Sequence, residues 1–235
     1  MELIRLNKYL AGRGIASRRE ADRLIADGLI SVNGKVIREM GVKINPEKDK
    51  VSVSDQVIKR QQKLIYIALN KPAGYVTSVK RTQVEKKIVT DLIKINERVY
   101  PVGRLDKDTT GLLILTNDGT LTYKLTHPSS ECEKEYEVTV DGAIKGGQMD
   151  KLKAGVKLWG EKTKETQVKK IGSRQMRIVL TEGKNRQIRR ICQKVGLSVI
   201  QLKRIRIKRL KLGNLPEGKW RKLTPEEVKM LKNAA

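Results

Sequence analysis

The chain of 235 residues has no phenylalanine, one histidine and two cysteines, and its aromatic residues are two tryptophans and six tyrosines. So few rings argue against a sheet that binds single strands by stacking base after base. A lone histidine with Cys132 and Cys192, which lack close ligand spacing, argues against a His/Cys metal centre, and no metal is expected. The thiols also lack a disulfide-rich context, so reduced thiols and a cytoplasmic location are expected. No run approaches the roughly 18 apolar residues of a membrane span. The opening MELIRLNKYLAGRG has neither the apolar run nor the small-residue cleavage site of a secretory signal. A glycine-rich phosphate-binding loop and a dinucleotide fingerprint are both missing from the sequence, and no cofactor is expected.

Carboxylates are scarce as well. The 26 Asp and Glu against 51 Lys and Arg leave a formal net charge of +25. Residues 1–60 carry 13 basic and 8 acidic side chains, residues 61–165 carry 18 and 14, and residues 166–235 carry 20 and 4. The last stretch alone therefore holds +16. That is more than solubility requires, and it calls for a polyanionic partner: RNA, DNA or the ribosome. The apolar fraction of 38% recurs in periodic segments, which is enough for a buried core in one or two domains. No feature points to an oligomer, and a monomer is expected.

Residues 1–60 read as a small helix–helix–hairpin unit. Leu6, Tyr9 and Leu10 have helical spacing, ended by Gly12 and Gly14. Ser17-Arg18-Arg19-Glu20 fits a capping box, with Glu20 reaching back to the cap. The helix it opens puts Ala21, Leu24 and Ile25 on one face and leaves Arg18, Arg19 and Arg23 to project from another, suited to phosphates. Asn33-Gly34 predicts a tight hairpin after a strand ending at Val32. The polar run Lys59-Arg60-Gln61-Gln62-Lys63 reads as a linker, so domains are expected at 1–60 and 64–235.

In the second domain, strands are expected at Ile65–Leu69, Leu112–Leu115, Glu135–Val140 and Arg174–Leu180, followed by a basic strand around Ile205 and Ile207. Helices are expected over Ile88–Ile95, near Leu121–Leu125, around Met149–Leu152, over Arg186–Val195 with Asn185 as its cap, and from Pro225. Strands dominate and several are joined by short turns. The fold class is therefore α+β, with a mixed, mainly antiparallel sheet. The most informative segment is Gly103-Arg104-Leu105-Asp106-Lys107-Asp108-Thr109-Thr110-Gly111. It is dense with Asp and Arg, bracketed by glycines and followed by an apolar strand, the pattern of a rigid loop at a cleft.

These motifs carry a resemblance. Leu6 to Lys35, with Ser17-Arg18-Arg19-Glu20-Ala21 and Val32-Asn33-Gly34-Lys35, is similar to an S4 domain, a small RNA-binding module. Residues 65–223 resemble a pseudouridine synthase of the S4-linked ribosomal RNA branch. Gly103-Arg104-Leu105-Asp106, continued by Thr110-Gly111-Leu112-Leu113-Ile114-Leu115-Thr116-Asn117-Asp118-Gly119, looks like that family's catalytic-aspartate motif. Lys134-Glu135-Tyr136 matches the motif of the active-site tyrosine. Glu182-Gly183-Lys184-Asn185-Arg186-Gln187-Ile188-Arg189-Arg190 matches the motif whose arginine pairs with the aspartate.

The resemblance implies isomerisation of uridine to pseudouridine in RNA. The N1–C1′ bond breaks, the uracil rotates, and C5 joins C1′, with no redox step, metal or ATP. It implies that Asp106 is the nucleophile or local base. Arg189 would hold that carboxylate ionised, Tyr136 would stack on the flipped base, and Leu180 would line the base pocket. Arg104 would lie near the flipped nucleotide. Lys184, Arg186, Arg190, Arg204 and Arg206, in the most basic third, are expected to contact the RNA backbone. Lys162–Lys170 and Ile205–Leu223 look more like the large-subunit enzymes, which points to uridine 2604 or the adjacent 2605 of 23S rRNA. A 16S rRNA target and a non-catalytic assembly factor that binds ribosomal RNA remain the alternatives.

Overall fold

The computed structural model describes residues 3–13, 15–54, 63–158 and 160–233. Gly14 and all of the expected linker except Lys63 lie outside them. The chain forms two compact units, Met1–Ile65 with Thr116–Tyr123, and Tyr66–Leu115 with Lys124–Ala235.

In the first unit, β1 (Ile4–Arg5) leads into α1 (Leu6–Gly12) and α2 (Arg18–Ala26), and these are followed by β2 (Ile30–Val32), β3 (Lys35–Ile37), β4 (Lys43–Ile44) and β5 (Val51–Val53). The Ser17 hydroxyl accepts the Glu20 amide at 3.2 Å, the expected cap of α2. The Glu20 carboxylate turns to Arg23 at 3.7 Å. Leu6 and Leu10 of α1 pack with Ala21, Leu24 and Ile25 of α2 over Ile30 and Ile44. With that face buried, Arg18, Arg19 and Arg23 are left exposed. Strand β2 lies between β3 and β5. Asn33 (φ 51°) and Gly34 (φ 80°) both take the left-handed conformation that a two-residue hairpin needs.

The second unit is built on a nine-stranded sheet. Its strands are β6 (Tyr66–Lys71), β7 (Tyr100–Pro101), β8 (Thr110–Thr116), β9 (Lys134–Val140), β12 (Gln167–Gly172), β13 (Gln175–Leu180), β14 (Val199–Ile207), β15 (Leu210–Lys211) and β16 (Trp220–Lys222). The ribbon of β10 (Lys157–Leu158) and β11 (Glu161–Lys162) stands apart from it. Helix α3 (Gly119–Thr126) is divided between the two units at Tyr123, and the helices of the second unit are α4 (Gly146–Ala154), α5 (Gln187–Lys194) and α6 (Pro225–Asn233). The order β12–β13–β9–β14–β8–β6–β16 is mixed. β14 runs parallel to β8, whereas β12/β13, β13/β9, β14/β9 and β16/β6 are antiparallel, as expected from the sequence. β14 enters between β9 and β8, which brings three segments distant in sequence side by side. Met149 and Leu152 of α4 and Ile188, Ile191 and Cys192 of α5 pack on Val138, Val140, Met176, Ile178 and Leu202.

Two local expectations are corrected, and one strand, β12, has no counterpart among the expected elements. The helix over Ile88–Ile95 is only a 3-10 turn, Val89–Leu92, because the Asp91 carboxylate accepts the Ile88 amide at 3.1 Å and closes the turn locally. Helix α5 begins at Gln187, and Asn185 does not cap it. Arg186 takes a left-handed conformation (φ 49°), and the Gln187 side chain accepts the Lys184 amide at 3.1 Å, bracing that turn. Strand β12 lies in a basic stretch where only Val168 is buried, so no period of two marks it. Among the described residues no helix is long and apolar enough to cross a membrane.

Candidate active site

The Gly103–Gly111 segment is a loop entering β8, fixed on both sides of Asp106. On one side, the buried Thr77 hydroxyl donates to the Leu105 carbonyl at 2.7 Å and accepts the Leu105 amide at 3.2 Å. On the other, the Lys71 ammonium donates to the carbonyls of Lys107 (3.1 Å) and Thr109 (2.8 Å), and also to that of Pro72 (3.0 Å). The Thr109 amide closes back onto the Asp106 carbonyl at 3.1 Å. Lys71 has 0% exposure. Burial pushes its pKa down to about 8, opposed by the nearby Asp108, Asp106 and Glu217. Asp106 is thus half-buried on a backbone with little freedom to move, the condition under which a carboxylate can be aimed.

Gly111 ends the loop at φ 102°. It faces Arg204 in the parallel β8/β14 pair, and a Cβ there would collide with the Arg204 carbonyl oxygen and come within 2.7 Å of its amide nitrogen. Glycine is required here both by conformation and by the closeness of the neighbouring backbone.

Strand register places the tyrosine. Ile178, Tyr136, Arg204 and Gly111 lie opposite one another across β13, β9, β14 and β8. Tyr136 is therefore two strand spacings from the end of the loop, about 10 Å. It is half-buried and packs on the core that includes Leu180, itself 6% exposed.

Helix α5 brings Arg189 to the loop. Its guanidinium donates to the Val199 carbonyl at 3.0 Å and to the Asp108 carbonyl at 3.4 Å. The expected ion pair with Asp106 is not among those of the described residues, because Arg189 is engaged by backbone carbonyls on either side. Its Nε is buried without a partner. Arg104 and Arg186 are exposed. The exposed Arg190 donates to the Asn185 side chain at 3.3 Å, and Lys184 pairs with Glu161 at 3.3 Å.

Two expected RNA contacts are corrected. Arg204 is only 2% exposed, and its Nε donates to the Leu112 carbonyl at 2.7 Å, so it braces β8 from within the sheet. Arg206 is neutralised by Glu135 at 2.7 Å and Glu133 at 3.0 Å, and it holds the entry to β9. Alternation in a basic strand concealed both roles. Lys71 and Thr77 were missed: Lys71 reads as a turn residue, and its only signal was a lysine closing an apolar strand just before Pro72. Cys132 and Cys192 are free and buried. Burial raises both pKa values, that of Cys192 to about 12, so neither thiol is poised to react.

The family model of RNA pseudouridylate synthases matches residues 65–194, and that of the S4 domain matches residues 4–51. The chain belongs to the RNA pseudouridine synthase family and carries an S4 domain, an enzyme class that sets aside the reading as a non-catalytic factor. It is 42% identical over 238 residues to the dual-specificity RNA pseudouridine synthase RluF of Escherichia coli K12, covering 99% of this chain and 81% of that one. It is also 42% identical over 238 residues to the ribosomal large subunit pseudouridine synthase B of Bacillus subtilis, covering 98% and 96%. A solved structure, described as a crystal structure of pseudouridylate synthase, superposes with a TM-score of 0.71 at 28% identity, covering 97% of this chain and 99% of that one.

Proposed function

We propose that the protein converts uridine 2604, the adjacent 2605, or both, of 23S rRNA to pseudouridine, as a cytoplasmic monomer acting on structured precursor RNA. The observation that supports the chemistry best is the clamp of Thr77 and Lys71 on either side of Asp106. A carboxylate presented at a fixed point can meet a base taken out of its stack. Asp106 acts as nucleophile or local base while the N1–C1′ bond is exchanged for C5–C1′, and the C5 proton is released. Tyr136 stacks on the flipped uracil above Leu180, and Arg104 lies beside the flipped nucleotide. Arg189 acts on Asp106 through the loop backbone that it holds. Arg18, Arg19 and Arg23, with Lys184, Arg186 and Arg190, contact phosphates.

The two relatives, a large-subunit enzyme and a dual-specificity enzyme, support the 23S target and favour assaying more than one RNA. Transcripts of 23S and 16S rRNA are incubated with the protein and sequenced for pseudouridine at nucleotide resolution. The expected dominant product lies at 2604 or 2605 of 23S rRNA. A dominant product in 16S rRNA would overturn the target and leave the reaction class standing.

A further inference from the structure

Two cations of the second unit flank Tyr136, and the chemistry described above uses the charge of neither. Register fixes both. Arg204 of β14 stands directly opposite Tyr136 of β9. Lys134, two residues before Tyr136 on β9, stands opposite Leu180 of β13. Side chains two apart on a strand share a face, and so do those directly opposite across an antiparallel pair. Lys134, Tyr136, Leu180 and Arg204 therefore project from one face of the sheet, the face that carries the candidate base pocket.

Neither cation has a counter-charge. Arg204 is buried and Lys134 half-buried, and each donates to a backbone carbonyl, Arg204 to that of Leu112 at 2.7 Å and Lys134 to that of Cys132 at 2.8 Å. Among the described residues neither forms an ion pair, and Nη2 of Arg204 is buried without a partner. Burial lowers the Lys134 pKa, opposed by Cys132 and reinforced by Arg204 and Lys208. Arg204 also adds to the burial that lowers the pKa of Lys71, a third buried cation without a carboxylate partner. The other face of the same two strands is built differently, since there Arg206 meets both Glu135 and Glu133. The sheet thus supplies carboxylates to one of its arginines and withholds them from the one beside Tyr136. Buried charge left without a counter-charge is costly, and such groups gather at functional sites.

We propose that Arg204 and Lys134 stabilise the negative charge that uracil carries while it is detached from the ribose. When the N1–C1′ bond breaks, its electron pair stays with the base and spreads over N1, O2 and O4. C5 then joins C1′, and the proton lost from C5 is matched by one gained at N1, so the charge on the base is transient. Cations in a low-dielectric setting act on such charge without touching the base. Being built into the sheet, they need no rearrangement when it appears. The bound uridine is neutral at the base, so the two cations favour the transition state over the bound substrate. The proposal rests on Tyr136 and Leu180 as the base pocket and on cleavage of N1–C1′, and not on which rRNA carries the site.

The test compares R204Q and K134Q with the wild type in single turnover, on an rRNA fragment that the wild type is first shown to modify, with either uridine or 5-fluorouridine at the target. Failure of the 23S assignment is then read separately, and D106N, silent with both bases, shows that the conversion measured is the Asp106 reaction. Glutamine keeps an amide donor for the Leu112 or Cys132 carbonyl and removes the charge. Fluorine withdraws electrons from the base, so its anion needs less help. Loss of the target nucleoside is followed after nuclease digestion. With uridine each variant should be slower by about 100-fold, while RNA affinity stays within about twofold. With 5-fluorouridine the deficit should shrink to about tenfold or less, and R204K and K134R should restore most of the uridine rate. An equal deficit with both bases would make the residues structural and overturn the proposal, as would wild-type rates in both variants. Circular dichroism and the thermal midpoint separate these results from misfolding, and if R204Q does not fold, the half-buried Lys134 decides by itself.

Discussion

The Lys71 ammonium, with no solvent exposure, donates to the Thr109 carbonyl at 2.8 Å and so ties the end of β6 to the loop that carries Asp106. A buried lysine without a carboxylate at hydrogen-bond distance is costly to hold charged, and the lowering of its pKa to about 8 reflects that. Its place here follows from what it holds: three carbonyls, two of them in the loop that carries Asp106.

The pH dependence of stability follows. Between about 8 and the unfolded value of 10.5, the unfolded chain binds more protons than the folded one, so this group makes wild-type stability rise with pH in that window. Urea unfolding of the wild type against K71M at pH 7 and pH 9.5 should show the wild type gaining about 2 kcal/mol relative to the variant. A constant or shrinking difference would mean that the site favours the cation. K71M should also lose turnover, because both Lys107 and Thr109 lose their donor.

Gly111→Ala tests the close approach of β8 to β14. The new methyl meets the Arg204 backbone, which cannot swing aside as a side chain could, and the φ of 102° strains any L-residue. A loss of about 3 kcal/mol or more is expected, read as a lower urea midpoint, together with loss of turnover. An alanine variant of wild-type stability would show that the two strands stand further apart.

Several of these features were legible in the sequence and others were not, and the difference is physical. The Asn33-Gly34 hairpin and the Ser17 cap depend on local dihedral preferences and nearby amides, so a few residues suffice to predict them. The Asn185 cap failed because Arg186 adopts a left-handed backbone, to which its residue type gives no clue. Arg204 and Arg206 alternate with isoleucines like any solvated basic strand. Only the insertion of β14 between β9 and β8 buries the first and pairs the second. Lys71 is a long-range fact of the same kind, since its partners lie up to 38 positions away. The order of motifs, by contrast, was enough to place Asp106, Tyr136 and Arg189 on one domain.

The arginines of α2 should act on binding alone. Changing Arg18, Arg19 and Arg23 to glutamine should raise KM about tenfold, leave kcat within twofold, and lower the salt slope by about 2 to 3. Removing residues 1–60 should have the same kind of effect, more strongly. A fall in kcat at saturating RNA would place this edge in the chemistry.

Arg189 should behave as a positioning residue. With its guanidinium on the Val199 and Asp108 carbonyls, R189Q should lower kcat about 100-fold or more with little change in KM, and R189K should recover part of it. An equal rise in KM with kcat intact would make it an RNA contact.

The central claim is that Asp106 carries the reaction on a loop whose shape does not depend on its charge. The most direct measurement is tritium release from C5-labelled uridine RNA by Asp106→Asn, alongside circular dichroism and RNA binding. The account predicts a folded protein that binds RNA with nearly wild-type affinity and releases no detectable tritium. Wild-type release from a folded D106N protein would contradict it.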